Sequence, residues 1–100
     1  MNQTEGYVLS QEADQDLDDI FDFTEEKYGF DQAIEYLSGL KETFKMIVKN
    51  SEIGKRREEI KVGLRGFVKS SHIIFYRIDG TFIRIVRVLH GSRDLPKWIE

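Results

Sequence analysis

With 100 residues and no cysteine, the chain has room for one modest core over residues 1–100, and disulfides, thiolate metal sites and cysteine nucleophiles are excluded. Hydrophobic residues make up 40 % and charged residues 33 %, the balance of a globular domain with a heavily charged surface. The net charge of −3 hides an asymmetry: residues 1–31 hold ten acids, from Glu5 to Asp31, against Lys27 alone, while residues 32–100 hold eight acids against fourteen bases. This dipole either solvates an acidic helix or assigns the two ends to different partners. The opening segment MNQTEGYVLSQEADQDL lacks a basic region followed by an apolar one, and no apolar run reaches the roughly 20 residues that span a bilayer. The expectation is a cytoplasmic protein with no membrane partner.

Tyr7-Val8-Leu9 is a short apolar run that suits an opening strand, and Ser10 after it is placed to cap a helix, with Glu12 in the first turn. Ala13, Leu17, Ile20, Phe21, Phe23, Thr24 and Tyr28 then recur at helical spacing, with the acids on the opposite side. Gly29 ends this helix. Asp31 is positioned to cap a second one, whose stripe is Ala33, Leu37, Leu40, Phe44, Ile47 and Val48. A link of about two residues makes the pair an antiparallel hairpin.

Residues 50–62 lose the helical period and read as a loop carrying the basic run Lys55-Arg56-Arg57. Three strands follow: Leu64–Lys69 and His72–Ile78 meeting at Ser70-Ser71, then Thr81–His90 after Asp79-Gly80, a type I′ hairpin signal. Pro96, Leu95, Trp98 and Ile99 suggest a short docked tail. The order β-α-α-β-β-β is an α+β domain, with the N-terminal strand and helical hairpin packed on a small antiparallel sheet.

The last strand contains a conflict. Alternation puts Ile83, Ile85, Arg87 and Leu89 on one face, so a cation falls within the better core row. Either Arg87 pairs with a helix carboxylate such as Asp16 or Asp19, or a bulge near Val86 brings Arg84 and Arg87 to the same side. His72 and His90 sit at strand ends, as solvent-bonded histidines do, or as bases for phosphodiester chemistry beside the arginines. No triad, phosphate loop, metal-ligand spacing or cofactor motif accompanies them, so neither a metal nor a small-molecule cofactor is expected. Arg65, Arg77, Arg84, Arg87 and Arg93 interleave with Phe67, Phe75, Tyr76 and Phe82, either as a nucleic-acid surface with stacking platforms or as core aromatics beside solvated cations.

Several strings together carry a family signal. Gly63-x-Arg65-x-Phe67, His72-Ile73-Ile74-Phe75-Tyr76-Arg77, Arg87-Val88-Leu89-His90 and Arg93-Asp94 follow Leu9-Ser10, Ala13-Asp14-x-Asp16-Leu17-x-x-Ile20, Tyr28-Gly29, Gln32-Ala33 and Tyr36. In this order the chain closely resembles the ParE branch of the RelE/ParE toxin superfamily. It departs from that pattern at Asn50-Ser51-Glu52-Ile53-Gly54, which lacks the proline common before the glycine, and at Gly54-Lys55-Arg56, where Gly-Arg is frequent.

The resemblance implies a type II toxin that blocks replication by inhibiting DNA gyrase or a gyrase–DNA complex, neutralised by a cognate ParD-like antitoxin. It implies no enzymatic activity, with Arg87, His90, Arg93 and Asp94 facing the target. Phe21, Phe23, Ile34 and Tyr36, at the margins of the helical stripes, would face the antitoxin. The RelE-like alternative is a ribosome-dependent messenger RNA endonuclease using Arg65, Arg84 and His90. A third reading is a non-toxic homologue that only binds its antitoxin.

Overall fold

The computed structural model describes residues 4–91. In chain order the elements are β1 (Gly6–Leu9), α1 (Gln11–Tyr28), α2 (Phe30–Lys49), β2 (Lys55–Arg56), β3 (Arg65–Lys69), β4 (His72–Asp79) and β5 (Phe82–His90). The five strands form one sheet in the order β1-β5-β4-β3-β2. All neighbours are antiparallel except β1, which runs parallel to β5. The sheet is therefore mixed, and β1 joins at the edge opposite the entry of the later strands. The two-residue β2 lies within the stretch expected to be a loop, and its Lys55 and Arg56 extend the sheet beyond β3.

Ser10 caps α1 as its residue type dictates, its Oγ accepting from the Ala13 amide at 2.9 Å. Gly29 alone joins the helices: it adopts φ 96, and its N–H closes on the Glu25 carbonyl. The second helix starts at Phe30 with Gly29 as its cap, so Asp31 lies inside the first turn rather than capping it. Ala13, Leu17 and Ile20 of α1 and Leu40, Phe44 and Ile47 of α2 pack on Ile74, Tyr76, Ile83, Ile85 and Val88 of the sheet. The apolar stripe of α1 outruns this core. Phe23 and Tyr28 are exposed and Phe21 is half-buried.

Both tight turns place one residue at positive φ, Ser70 at 55 and Gly80 at 64. Asp79 pairs with Phe82, so the β4–β5 loop is Gly80-Thr81 and only its first residue is left-handed. That is the type II′ arrangement and not type I′, which needs positive φ at both central residues.

The face of the sheet away from the helices is not bare. The segment 57–64 closes on itself through Arg57 N–H to the Leu64 carbonyl at 2.8 Å. It lays Leu64 and Ile60 against Phe75, Leu89, Ile73 and Val86 in a second apolar cluster. No helix among the described residues is long and apolar enough to cross a membrane.

Candidate functional site

The β4–β5 ladder is regular from the turn to the pair Tyr76–Ile85, then resumes at Phe75–Arg87. Val86 is thus the extra residue of a bulge. Beyond it the faces exchange. Val88 enters the helix-side core, while Leu89 joins the second cluster, against the simple alternation that put Leu89 in the main core. Arg87 is carried off the core row to the side of Arg84, and its guanidinium meets Asp16 of α1.

A bulge and a strand end both leave backbone groups unpaired, and β1 stops at Leu9, level with Ile85. The start of α1 supplies the missing partners. The Ser10 amide donates to the Ile85 carbonyl at 3.0 Å, and the Ser10 hydroxyl donates to the Val86 carbonyl at 2.8 Å. Asp16 Oδ2 accepts from the Val88 amide at 2.9 Å. The same carboxylate takes Arg87 bidentately, Nε at 2.8 Å and Nη2 at 2.9 Å, with side-chain exposures of 9 % for Asp16 and 16 % for Arg87. Hydrogen bonding to Asp16 holds the Arg87 pKa above its ordinary value.

One turn of strand further, the bulged register sets His72 opposite His90, their rings 5.5 Å apart and edge to face. His72 Nδ1 lies 2.7 Å from the Tyr36 hydroxyl, which links α2 to the sheet. Burial, and secondarily the neighbouring His90, lower the His72 pKa, with Asp16 opposing weakly. Burial likewise raises the Tyr36 hydroxyl. His72 and His90 line a cleft of about 300 Å³ whose walls include Asp16, Asp19 and Phe23. The carboxylates of Asp16 and Asp19 in its walls repel a phosphodiester. Among the described residues no group of three or more His, Asp or Glu side chains could hold a metal ion.

The other residues singled out from sequence fall in separate places. Arg65 Nη1 donates to the carbonyls of Gly54 at 2.8 Å and Glu52 at 3.2 Å, fastening the 51–54 loop. Tyr76, fully buried, completes that fastening: its hydroxyl donates to the Ser51 carbonyl and accepts from the Gly54 amide, both at 2.8 Å. A Cβ on Gly54 would stand 2.6 Å from that hydroxyl, which is why the loop takes glycine there. Arg84 lies across from Arg77 on β4. Phe21 and Ile34 share a groove of about 360 Å³ with Leu17 and Leu37, flanked by Asp14 and Asp18. Phe23 and Tyr36 line the opposite side of the hairpin, toward His72 and His90. Arg93, Asp94 and the tail at Leu95, Pro96, Trp98 and Ile99 lie outside the described residues.

Sequence reasoning reached the Arg87–Asp16 pair and the bulge, but missed Asp16 as the acceptor for a strand-edge amide and the Tyr36–His72–His90 row. Counting the ladder back from the turn with one residue added at Val86 pairs His72 with His90. No local signal marks Tyr36 as their neighbour.

The family model described as the ParE toxin of the type II toxin–antitoxin system parDE matches residues 7–95. Toxin ParE1 of Caulobacter vibrioides is 40 % identical over 88 residues, 88 % of this chain and 91 % of the relative. Toxin ParE1 of Mycobacterium tuberculosis is 38 % identical over 92 residues, 91 % of this chain and 94 % of the relative. Among solved structures, the chromosomal ParDE toxin–antitoxin system from P. aeruginosa superposes with a TM-score of 0.76 at 21 % identity, covering 88 % of this chain and 96 % of that one. The toxin–antitoxin complex RelBE2 from Mycobacterium tuberculosis gives 0.63 at 22 % identity, covering 93 % and 97 %. The two structures share the fold, the RelE/ParE-like arrangement of two helices on a mixed sheet. With the family model spanning most of the chain and close relatives covered almost end to end, this protein belongs to the ParE toxin family of type II toxin–antitoxin systems.

Proposed function

We propose that this toxin works by binding rather than by cleaving: it engages DNA gyrase, or the gyrase–DNA complex, and blocks replication until a ParD-like antitoxin removes it. The observation that carries the non-enzymatic half is the dispersal of the side chains a nuclease would use. Arg65 is committed to two loop carbonyls. Arg84 and His90 stand six positions apart on β5, roughly 20 Å of strand. Their separation leaves no point at which a 2′-hydroxyl, a leaving oxygen and the developing phosphorane charge could all be served.

The antitoxin half is supported by the hairpin. Phe23 is 59 % exposed and Ile34 46 %, and the groove beside Phe21, Ile34 and Leu37 carries Asp14 and Asp18 on its rim. Such a groove suits an amphipathic helix with apolar anchors at helical spacing and basic flanks. The target-facing residues on this reading are the exposed His90, followed by Arg93 and Asp94, while Arg87 acts through the strand it holds. Expression of the toxin alone in bacterial cells tests the reading. Filamentous cells with an induced DNA-damage response are expected; arrest of translation with intact DNA supports the endonuclease alternative, and normal growth supports a homologue without toxicity.

A further inference from the structure

Neither the bulge nor the hairpin uses Arg77 and Arg84. These two are direct cross-strand partners on β4 and β5. Their neighbours Tyr76, Ile83 and Ile85 are buried under the helices, so alternation places both arginines on the opposite face of the sheet. Like charges directly opposite one another weaken a sheet. Among the described residues neither guanidinium has an ion pair or a side-chain hydrogen bond that would offset this. Both side chains are half-buried, so their positions are restricted. Arg57 extends the same face, its guanidinium 5.9 Å from the Phe75 ring, although Glu59 pairs with it at 2.6 Å. Asp79 is the one carboxylate on β4 or β5 that alternation adds to this face. Of the α1 acids, Asp16 is taken up by Arg87 and the Val88 amide.

We propose that Arg77 and Arg84, on the sheet face turned away from the helices, bind the phosphodiester backbone of duplex DNA. A backbone reader fits better than a single-strand platform. Phe75 and Tyr76, the aromatics interleaved with these arginines in sequence, are fully buried, Phe67 packs on the core, and only Phe82 is left to stack on a base. The inference is independent of which protein the toxin inhibits.

Fluorescence anisotropy of a labelled duplex of arbitrary sequence, titrated with the full-length toxin across a salt series, tests it. One phosphate contact contributes about 0.9 to the log–log salt slope, which is roughly eightfold in affinity at 0.1 M salt. Arg77→Gln and Arg84→Gln keep the apolar stem of the side chain, and each is expected to weaken binding by about that factor and flatten the slope by about 0.9. Arg77→Lys and Arg84→Lys are expected to retain the slope, and Lys45→Ala on α2 to change nothing; thermal melts confirm that each variant is folded. Three results would overturn the proposal: absence of salt-dependent duplex binding by the unmodified toxin, unchanged affinity in both glutamine variants, or tighter capture of unstructured single-stranded RNA than of the duplex.

Discussion

Asp16→Ala is the substitution that most directly probes how β5 is held. The carboxylate serves three donors at once: two from Arg87 and the Val88 amide. Its removal leaves a guanidinium in a mostly buried place and an unpartnered N–H in the interior. Removing one partner of a buried ion pair costs about 3–5 kcal/mol. An unsatisfied buried amide alone costs about 1–3 kcal/mol. Water can reach part of the Arg87 head, so we place the total at about 3–4 kcal/mol, a large share of the roughly 5–15 kcal/mol that keeps a domain folded. Arg87→Met should cost less, about 1–2 kcal/mol, because Asp16 keeps the Val88 amide and gains access to water. In the double variant the loss should be smaller than the two single losses together, with a coupling of about 1–3 kcal/mol. Urea unfolding of the four proteins, followed by circular dichroism, measures all of these quantities. A loss below about 1 kcal/mol for Asp16→Ala, or strict additivity with Arg87→Met, would refute the clasp as the element that secures the bulged strand.

Three further outcomes follow from the geometry. Gly54→Ala should destabilise by about 2–3 kcal/mol by driving a methyl into the Tyr76 hydroxyl and ring edge; equal melting of Gly54→Ala and the parent would contradict the packing. His72 has a folded pKa below its unfolded value, so the unfolded chain takes up the proton first; stability is complete above about pH 6.5 and declines as pH falls through and below it. Denaturation midpoints against pH should lose that component in His72→Gln, and an identical pH profile in the variant would show that the ring contributes nothing. Phe23→Asp and Ile34→Asp alter exposed positions and should leave unfolding within about 0.5 kcal/mol of the parent while weakening the antitoxin complex, which calorimetry with the purified antitoxin resolves.

How much of this could be read from the residues depended on range. Local signals were sufficient for the Ser10 cap, the Gly29 break and the strand runs, because capping, left-handed glycine and alternation act within a few residues. The β5 alternation also exposed its own break: a cation in an apolar row requires either a bulge or a partner, and the molecule uses both, at Val86 and Asp16. Features made by chain segments far apart were not legible. Lys55-Arg56 carries no strand pattern, yet it pairs with β3 beside a loop that Arg65 and Tyr76 pin against the sheet. Leu89 has the chemistry of the main core, yet the bulge delivers it to the other face, where Leu64 covers it. At the site, His90 was visible as a strand-end residue, whereas its company of His72 and Tyr36 depends on register and on the lie of α2. The clasp of Arg65 on the 51–54 loop was likewise hidden, since nothing in a sequence distinguishes an arginine bound to carbonyls from one facing solvent.

Gyrase binding without RNA cleavage is the action we propose for this toxin. It is tested most directly by supercoiling of relaxed plasmid with purified gyrase and increasing toxin, alongside messenger RNA integrity in a translating extract. The expected result is loss of supercoiling that the antitoxin restores, with the RNA intact. Undiminished supercoiling at large toxin excess, together with messenger RNA cut on the ribosome, would contradict it.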